Sequence, residues 1–447
     1  MSEQQGVRPD GRRIVVGPGR WLLTAAAVFV FLAPAFYFVP TSIRQPWDLK
    51  TYWFAGRAAA QGLNPYDINV LADVAGGAVG MPFLYPPITV PLLIPLTALP
   101  IETASQVWLG IKLLMYVALV LLWHRYFLPD IHPVLLAFVA VFGFNAASVW
   151  DLRSGNVAML EQLLLWLGFV AYTRERRLAF ALCVVAAALF KIFPAAFLAL
   201  LLIPSQNREP EWKLASGSVA LLAALVLIPA LAGPAWARGF FYLMPGVRPW
   251  GLVNPSNLGI IDTLLGDHAT PLTRPPFHAL ALLLLFDAAL IGLSFPALHR
   301  LWRRRDPREW VLASAILYAL LVPRMMVYSY LLVLVPALTL VALAVGPIGG
   351  RAIVAALVVA QALWNTSQVL LNTPPRLGPS DILQPNLSFL ILLAFWLIYL
   401  VRDSRRRGAP ARLENQAGRR RGRASQAASR SSRPRTSPTS APSRGAG

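Results

Sequence analysis

The amino-acid sequence predicts an all-α polytopic membrane protein, and three observations carry that expectation. Hydrophobic residues make up 57% of the 447-residue chain and charged residues 13%, about half the charged share of an ordinary soluble domain. Too few charges are present to cover a water-soluble body of this size. Apolar runs near the length of a bilayer-crossing helix recur along the chain, and a helix is the element that satisfies its own backbone in lipid. The basic residues between those runs fall in short clusters, as they do in loops on the inner side of a membrane. Together these give about twelve transmembrane helices with both ends inside.

The net charge of +20 comes from 40 Lys+Arg against 20 Asp+Glu. In a soluble protein it would suggest nucleic acid, but its location points elsewhere. From Arg402 onward the chain holds 13 arginines and two acids, Asp403 and Glu414, which is +11 of the +20. This stretch, 402–447, is rich in Ser, Pro, Gly and Ala and cannot bury enough apolar surface to fold. It reads as a disordered Arg-rich cytoplasmic tail near anionic membrane lipids, with no nucleic-acid partner. The use of 36 Arg against 4 Lys suggests a GC-rich bacterial genome, and hence the bacterial cytoplasmic membrane. The one cysteine, Cys183, lies in an apolar run, which excludes an internal disulfide and argues against thiol catalysis.

The elements follow in order. Residues 1–20 form a cytoplasmic N-terminal segment, marked by Arg8, Arg12, Arg13 and Arg20 before the first apolar run, Trp21 to Val39. No small-residue cleavage site follows that run, so it is expected to be an anchor. The first outer loop is 40–104. Its stretch from Tyr85 to Pro100 carries five prolines and reads as a membrane-surface or re-entrant segment. Further inside markers are Arg174 to Arg177, Arg208 to Lys213, His299 to Arg308, and Arg351. Leu178 to Pro204 lies between two of them and is expected to be a tight hairpin broken around Lys191 to Pro194. Glu309 to Gly350 follows the same logic, with its break at Pro323-Arg324. The transmembrane domain therefore spans 21–401. Its other long outer segments, Gly233 to Pro276 and Asn372 to Asn386, place function on the outer face.

The first outer loop holds Asp48, Asp67, Asp73 and Glu102. Asp48 opens a predicted helical stretch running to Gln61, where it reads either as an N-cap or as part of a sugar pocket. In the second reading Tyr52, at i+4, shares a helix face with Asp48, followed by the small residues Ala55 and Ala59. Trp47, Tyr52 and Trp53 also suit an interfacial aromatic belt. Gly62 to Asp67 is turn chemistry. Tyr85-Pro86-Pro87 follows, and later the short outer turn Asp151 to Asn156. Lys191 and Arg324, both flanked by apolar residues and both on the outer side, read either as snorkelling cations or as a phosphate-binding pair. The five histidines show no metal-ligand spacing, and no Gly-rich phosphate loop, Ser elbow or Asp-x-Asp pair occurs. No metal or cofactor is expected, and the energy for any bond made outside must arrive with a lipid-borne donor.

These pieces taken in order resemble glycosyltransferase family 87: Asp48-x-x-x-Tyr52, Gly62-x-Asn64-Pro65-Tyr66-Asp67, Tyr85-Pro86-Pro87, Gly155-Asn156, Lys191-x-x-Pro194 and Asn254-x-Ser256-Asn257. The resemblance runs from Trp21 to Val401. It implies a GT-C-like bundle with outer-loop helices lying on the membrane, and a polyprenyl-phosphate sugar, mannose above all, as donor. The acceptor would be a glycolipid or glycan on the extracytoplasmic face. Asp48 would be the general base of an inverting transfer, and Lys191 with Arg324 would neutralise the departing phosphate. Tyr52, Asn64, Tyr66, Asp67, Tyr85, Asn156, Asn254, Asn257 and Tyr328 would contact substrate. Two departures stand out. The family usually has Gly-Gln-x-Asn where this chain has Gly155-Asn156-Val157-Ala158, and often a His near the break where this chain has Val322 to Tyr328 without one.

The contrasting reading is a lipid or glycan transporter, which needs ionisable residues at mid-membrane. Lys112, Glu161 and Asp287 are the candidates. Polar residues gather instead in the outer loops, which favours an enzyme. A scaffold that exports a glycan beside a partner enzyme is a third reading.

Overall fold

The structure is a computed structural model that describes residues 40, 42–44, 46–79, 81–131, 133–205, 209–243, 254–265, 276–340 and 383–405. The expected first crossing, the segment 1–20, the Arg351 marker, residues 244–253 and 266–275 of the second outer segment, 372–382 of the third, and the tail beyond Arg405 lie outside the described residues. Every regular element among the described residues is helical. In chain order they are α1 (Trp47–Ala60), α2 (Ile68–Ala75), α3 (Val90–Leu93), α4 (Ile101–Tyr126), α5 (Pro133–Ser154), α6 (Ala158–Thr173), α7 (Arg177–Ala188), α8 (Trp212–Ala232), α9 (Pro234–Leu243), α10 (Asn257–Leu264), α11 (Phe277–Arg304), α12 (Pro307–Leu321) and α13 (Leu383–Arg405). The chain divides into a main body, 1–396, and a C-terminal unit, 397–447, whose described part is the last turns of α13.

Three described helices are long and apolar enough to cross a membrane: α4, the Trp212–Pro229 part of α8, and α11. The expected count of about twelve crossings is therefore not seen among the described residues. The other apolar helices, including α6, α7, Phe193–Leu202 and Val327–Leu340, have 10–17 residues. At about 1.5 Å per residue they fall short of a hydrocarbon core about 30 Å thick. Breaks at proline and at polar residues shorten them.

The first outer loop is built by local rules. α1 closes at Gly62, whose φ of 74° suits a residue without Cβ, and the Gly62 and Leu63 amides donate back to Ala59 and Ala58. Asp67 caps α2 by accepting from the Asn69 amide, and Gly76 closes it. The stretch from Tyr85 to Pro100 forms no span. Its prolines remove amide donors, leaving the 3-10 turn Pro87–Thr89, the single turn α3 and a second 3-10 turn, Ile94–Ala98. This broken segment packs under α1, where a Cβ on Gly56 would lie 2.9 Å from the Leu93 carbonyl oxygen. The Trp53 indole donates to the Leu99 carbonyl at 3.1 Å.

A chain of aromatic contacts holds the centre of the main body. Trp166 packs edge-to-face on Trp123, Phe127 and Phe169, with ring centroids 5.7, 4.9 and 5.4 Å away. Phe169 continues to Phe197, and Phe197 to Tyr318. The chain joins α4, α6, the Phe193–Leu202 turn and α12 through dispersion and apolar burial.

Two helical breaks stand at the positions the sequence marks. α7 ends at Ala188, and helical geometry resumes as a 3-10 turn at Phe193. α12 ends at Leu321, and Val327–Val333 resumes the helix after an extended stretch. Backbone groups freed inside an apolar body need partners, and the start of α10 supplies them at the second break. Asn254 Oδ1 accepts from the Met325 amide at 2.7 Å. The Ser256 hydroxyl donates to the Pro323 carbonyl, and Asn257 Nδ2 donates to the Leu321 carbonyl.

Trp166→Ala is expected to cost about 3–5 kcal/mol, the range for emptying a buried indole site. Leu114→Ala, at a side chain 73% exposed, should change little. The thermal midpoints of the two detergent-solubilised variants against the parent protein check this.

Candidate active site

Asp48 sits in the first turn of α1 but does not cap it. The N-cap is Pro46, and no side-chain cap hydrogen bond is present. The carboxylate turns inward instead, and the residue is 9% exposed. Its Oδ2 accepts a 2.9 Å hydrogen bond from Asn156 Nδ2, which arrives from the turn between α5 and α6, 108 positions along the chain. Gly155 lets that turn approach. Its φ is 71°, and a Cβ there would lie 2.7 Å from Leu49 Cβ and 3.2 Å from Pro46 Cβ. Asn156 Oδ1 accepts from the Ala158 amide at the start of α6, so both ends of the side chain are committed.

The same Asn156 Nδ2 also donates to the Tyr85 hydroxyl at 3.1 Å. Tyr85 and Tyr52 share a hydroxyl–hydroxyl bond of 2.5 Å, with their rings 4.9 Å apart and perpendicular. Asp48, Asn156, Tyr85 and Tyr52 thus form one continuous polar cluster on the inner side of α1. Tyr66 supports it from behind, donating its hydroxyl to the Tyr85 carbonyl at 2.7 Å and packing on Phe83. Asn64 accepts from the Tyr66 amide, and Asp67 is exposed with its carboxylate on the cap of α2. These bonds of Asn64, Tyr66 and Asp67 order the loop, where the resemblance implies substrate contacts.

Burial governs the electrostatics. Asp48 is pushed above the ordinary carboxylate value of 3.8 by desolvation, which outweighs its bonds from Asn156 and Ser154 and the charges of Lys112 and Lys191. Burial raises the Tyr85 phenol as well, and the Asp48 charge adds to it, while the Tyr52 and Asn156 bonds and the Arg324 charge oppose it. Tyr52 is raised well above its ordinary value by burial, with the charges around it adding to the effect. Both phenols therefore stay protonated beside the carboxylate and present hydrogen-bond donors.

The two expected cations stand at the two helical breaks, within electrostatic reach of the cluster. Lys191 Nζ lies 2.9 Å from Glu161 Oε2, donates to the Ser329 hydroxyl at 3.2 Å, and stands 4.9 Å from the Tyr328 ring centroid. Its side chain is 22% exposed, and its charge reaches Asp48. The charge of Arg324 reaches Tyr85 and Tyr328. Asn254 and Asn257 meet backbone groups of the second break as described above, and Asn257 Nδ2 also donates to Asp287 Oδ1 at 2.8 Å. They hold the segment that carries Arg324. Among the described residues, no group of three or more His, Cys, Asp or Glu is placed to hold a metal ion.

Sequence reasoning missed the charged pairs that frame the site. Lys112, fully buried in α4, lies 2.7 Å from Asp151 Oδ2 and donates to the carbonyls of Asp151 and Asn156. Lys112, Glu161 and Asp287 stand out in the sequence as ionisable residues for transport, yet each has a protein partner. One signal was available: Lys112 is the only charge in α4 between Glu102 and His124, and so deep a cation requires an acid.

The model of glycosyltransferase family 87 matches residues 83–323, more than half of the chain, and the chain belongs to that family. Family membership makes this chain, with its membrane-length helices, a glycosyltransferase. The match is narrower than the Trp21 to Val401 resemblance. It holds Tyr85, Asn156, Lys191, Asn254 and Asn257, begins after Asp48, and ends one residue before Arg324. No curated protein and no solved structure matches the chain.

Gly155→Ala is expected to cost about 1–2 kcal/mol from its left-handed backbone, and more from contact with Leu49. Gly62→Ala has a similar φ with open space around it and should show the backbone cost alone. The difference between the two thermal midpoints measures how closely the Asn156 turn presses on α1.

Proposed function

We propose that the protein transfers a sugar, mannose in the first instance, from a polyprenyl-phosphate donor to a glycolipid or glycan acceptor. In this reading the reaction takes place on the extracytoplasmic face of a bacterial cytoplasmic membrane. The observation that carries the proposal is the buried Asp48 carboxylate, fixed by Asn156 beside two protonated phenols, with cations at its edge. Family membership supplies the reaction class.

In the proposed reaction Asp48 accepts the proton of the acceptor hydroxyl as that oxygen bonds to the anomeric carbon. The bond from that carbon to the phosphate oxygen breaks, and its electron pair leaves with the phosphate. Attack opposite the leaving group inverts the centre, so a β-linked donor yields an α-linked product. Negative charge develops on the phosphate, where Lys191 and Arg324 stabilise it. Asn156 orients the carboxylate, the Tyr52–Tyr85 pair donates toward a sugar oxygen, and Tyr328 gives Lys191 an aromatic face. The Arg-rich tail, 402–447, holds to anionic lipid on the opposite side.

Asp48→Asn tests the base. Transfer from polyprenyl-phosphomannose, assayed in membranes, should fall by about a hundredfold to ten-thousandfold. The variant should accumulate normally, because Asn still accepts from Asn156 and the cost of burying a charge is gone. Full activity in Asp48→Asn would overturn the assignment. In the parent protein the base works deprotonated, and its raised pKa places the acid limb of kcat/KM above the ordinary carboxylate value of 3.8, with activity falling as pH drops through it.

Lys191→Ala, made together with Glu161→Gln so that no buried carboxylate is left unpaired, should raise the donor KM or lower turnover. Unchanged donor kinetics would return Lys191 to a structural partner of Glu161.

A further inference from the structure

The Lys112–Asp151 pair is not explained by the transfer chemistry, and both side chains are fully buried. Lys112 comes from the middle of α4, and its ammonium contacts the end of α5 and the turn after it at three points: the Asp151 carboxylate, the Asp151 carbonyl and the Asn156 carbonyl, the last at 2.7 Å. Those three acceptors bracket residues 151–156. Ser154, within the bracket, accepts from the Asn156 amide at 3.1 Å and donates to the Asp151 carbonyl at 3.1 Å. Trp108, one turn earlier on α4, donates to the Gly155 carbonyl at 2.8 Å. α4 therefore grips the turn from which Asn156 reaches Asp48.

We propose that Lys112 is a positioning residue for the transfer reaction. It fixes the turn that carries Asn156 and divides its positive charge between two carboxylates, Asp151 in contact and Asp48 facing it. The inference rests on the reading of Asp48 as the base.

The groups that face Asp48 are Asn156 and Ser154 from the turn, Tyr52 from α1 itself, Tyr85 from the broken loop segment, Tyr328 and Lys191 from the two helical breaks, and Lys112 with Asp151. The Lys112 charge favours ionised Asp48, and so does that of Lys191. Asp151 works against Asp48, because two carboxylates near each other resist ionising together. Asp151 Oδ1 is buried without a hydrogen bond, so the Lys112 ammonium carries most of the neutralisation of that acid. Removing Lys112 and removing Asp151 should therefore move Asp48 in opposite directions. A role limited to packing would move it in neither.

The test follows the protonation of Asp48 directly, by infrared difference titration of the detergent-solubilised full chain, with the carboxyl band assigned by its loss in Asp48→Asn. Lys112→Met should shift the midpoint up by about one pH unit and Asp151→Asn should shift it down by about as much. In Lys112→Met, turnover with polyprenyl-phosphomannose should fall on the order of a hundredfold, as expected when a reacting group is misplaced, with donor KM unchanged. Asp151→Asn keeps the carbonyl at 151 and a side-chain oxygen for Lys112. It carries the test alone if Lys112→Met does not accumulate. A midpoint equal to that of the parent protein in Asp151→Asn, or a change confined to donor KM in Lys112→Met, would overturn the inference. Full activity in Asp48→Asn would instead sink the reading of the base. An inactive Asp48→Asn beside unmoved midpoints would sink the role of Lys112 alone.

Discussion

A carboxylate withdrawn from water has to be held by donors, and the site described here is arranged around that requirement at Asp48. Burial raises the cost of its charge. One amide group of Asn156, shared between Asp48 and Tyr85, answers part of it. For Asn156 to reach that far, its turn must press against α1, which the absence of a side chain at Gly155 allows. For the turn to stay there, α4 must hold it with Lys112 and Trp108. Each of these contacts is short and local, yet together they tie α1, the proline-broken loop, α4, α5 and α6 to one carboxylate.

The helical breaks answer the same constraint in another form. An unbroken helix would satisfy its own backbone and leave no main-chain group to be partnered from elsewhere. The interruptions after Ala188 and Leu321 free backbone groups and leave Lys191 and Arg324 outside regular helix. At the second break Asn254, Ser256 and Asn257 take up the freed carbonyls and amide. At the first, Glu161 and Ser329 take up the cation. Lys191 is thus partnered before any substrate arrives. A phosphate entering the site would share or replace those partners rather than meet bare charge.

The features legible in the sequence were those set by neighbours along the chain. The helix from Trp47, its stop at Gly62, the shattering of Tyr85 to Pro100 by prolines, and the breaks at Lys191 and Pro323 all follow from local backbone chemistry. The reading of Asp48 as a cap was reasonable by the same local logic, but the carboxylate found a better donor 108 positions away. Asn64 and Asp67 keep to local logic, each accepting from a backbone amide two residues on and so ordering the loop. Of the about twelve crossings expected, the described residues hold three helices long and apolar enough to cross, while several others have 10–17 residues.

Composition and local pattern by themselves determined that this chain is helical, that it carries membrane-length apolar helices, and which residues bear charge in apolar surroundings. Those properties depend on backbone propensity and on transfer from water, which act on a segment wherever it lies. The tertiary structure decided which charges meet. Lys112 meets Asp151, Lys191 meets Glu161, and Asn156 bridges Asp48 and Tyr85. The physical reason is that an ion pair or a shared hydrogen bond depends on ångström-scale distance between groups far apart in sequence, and no periodicity along the chain encodes that distance.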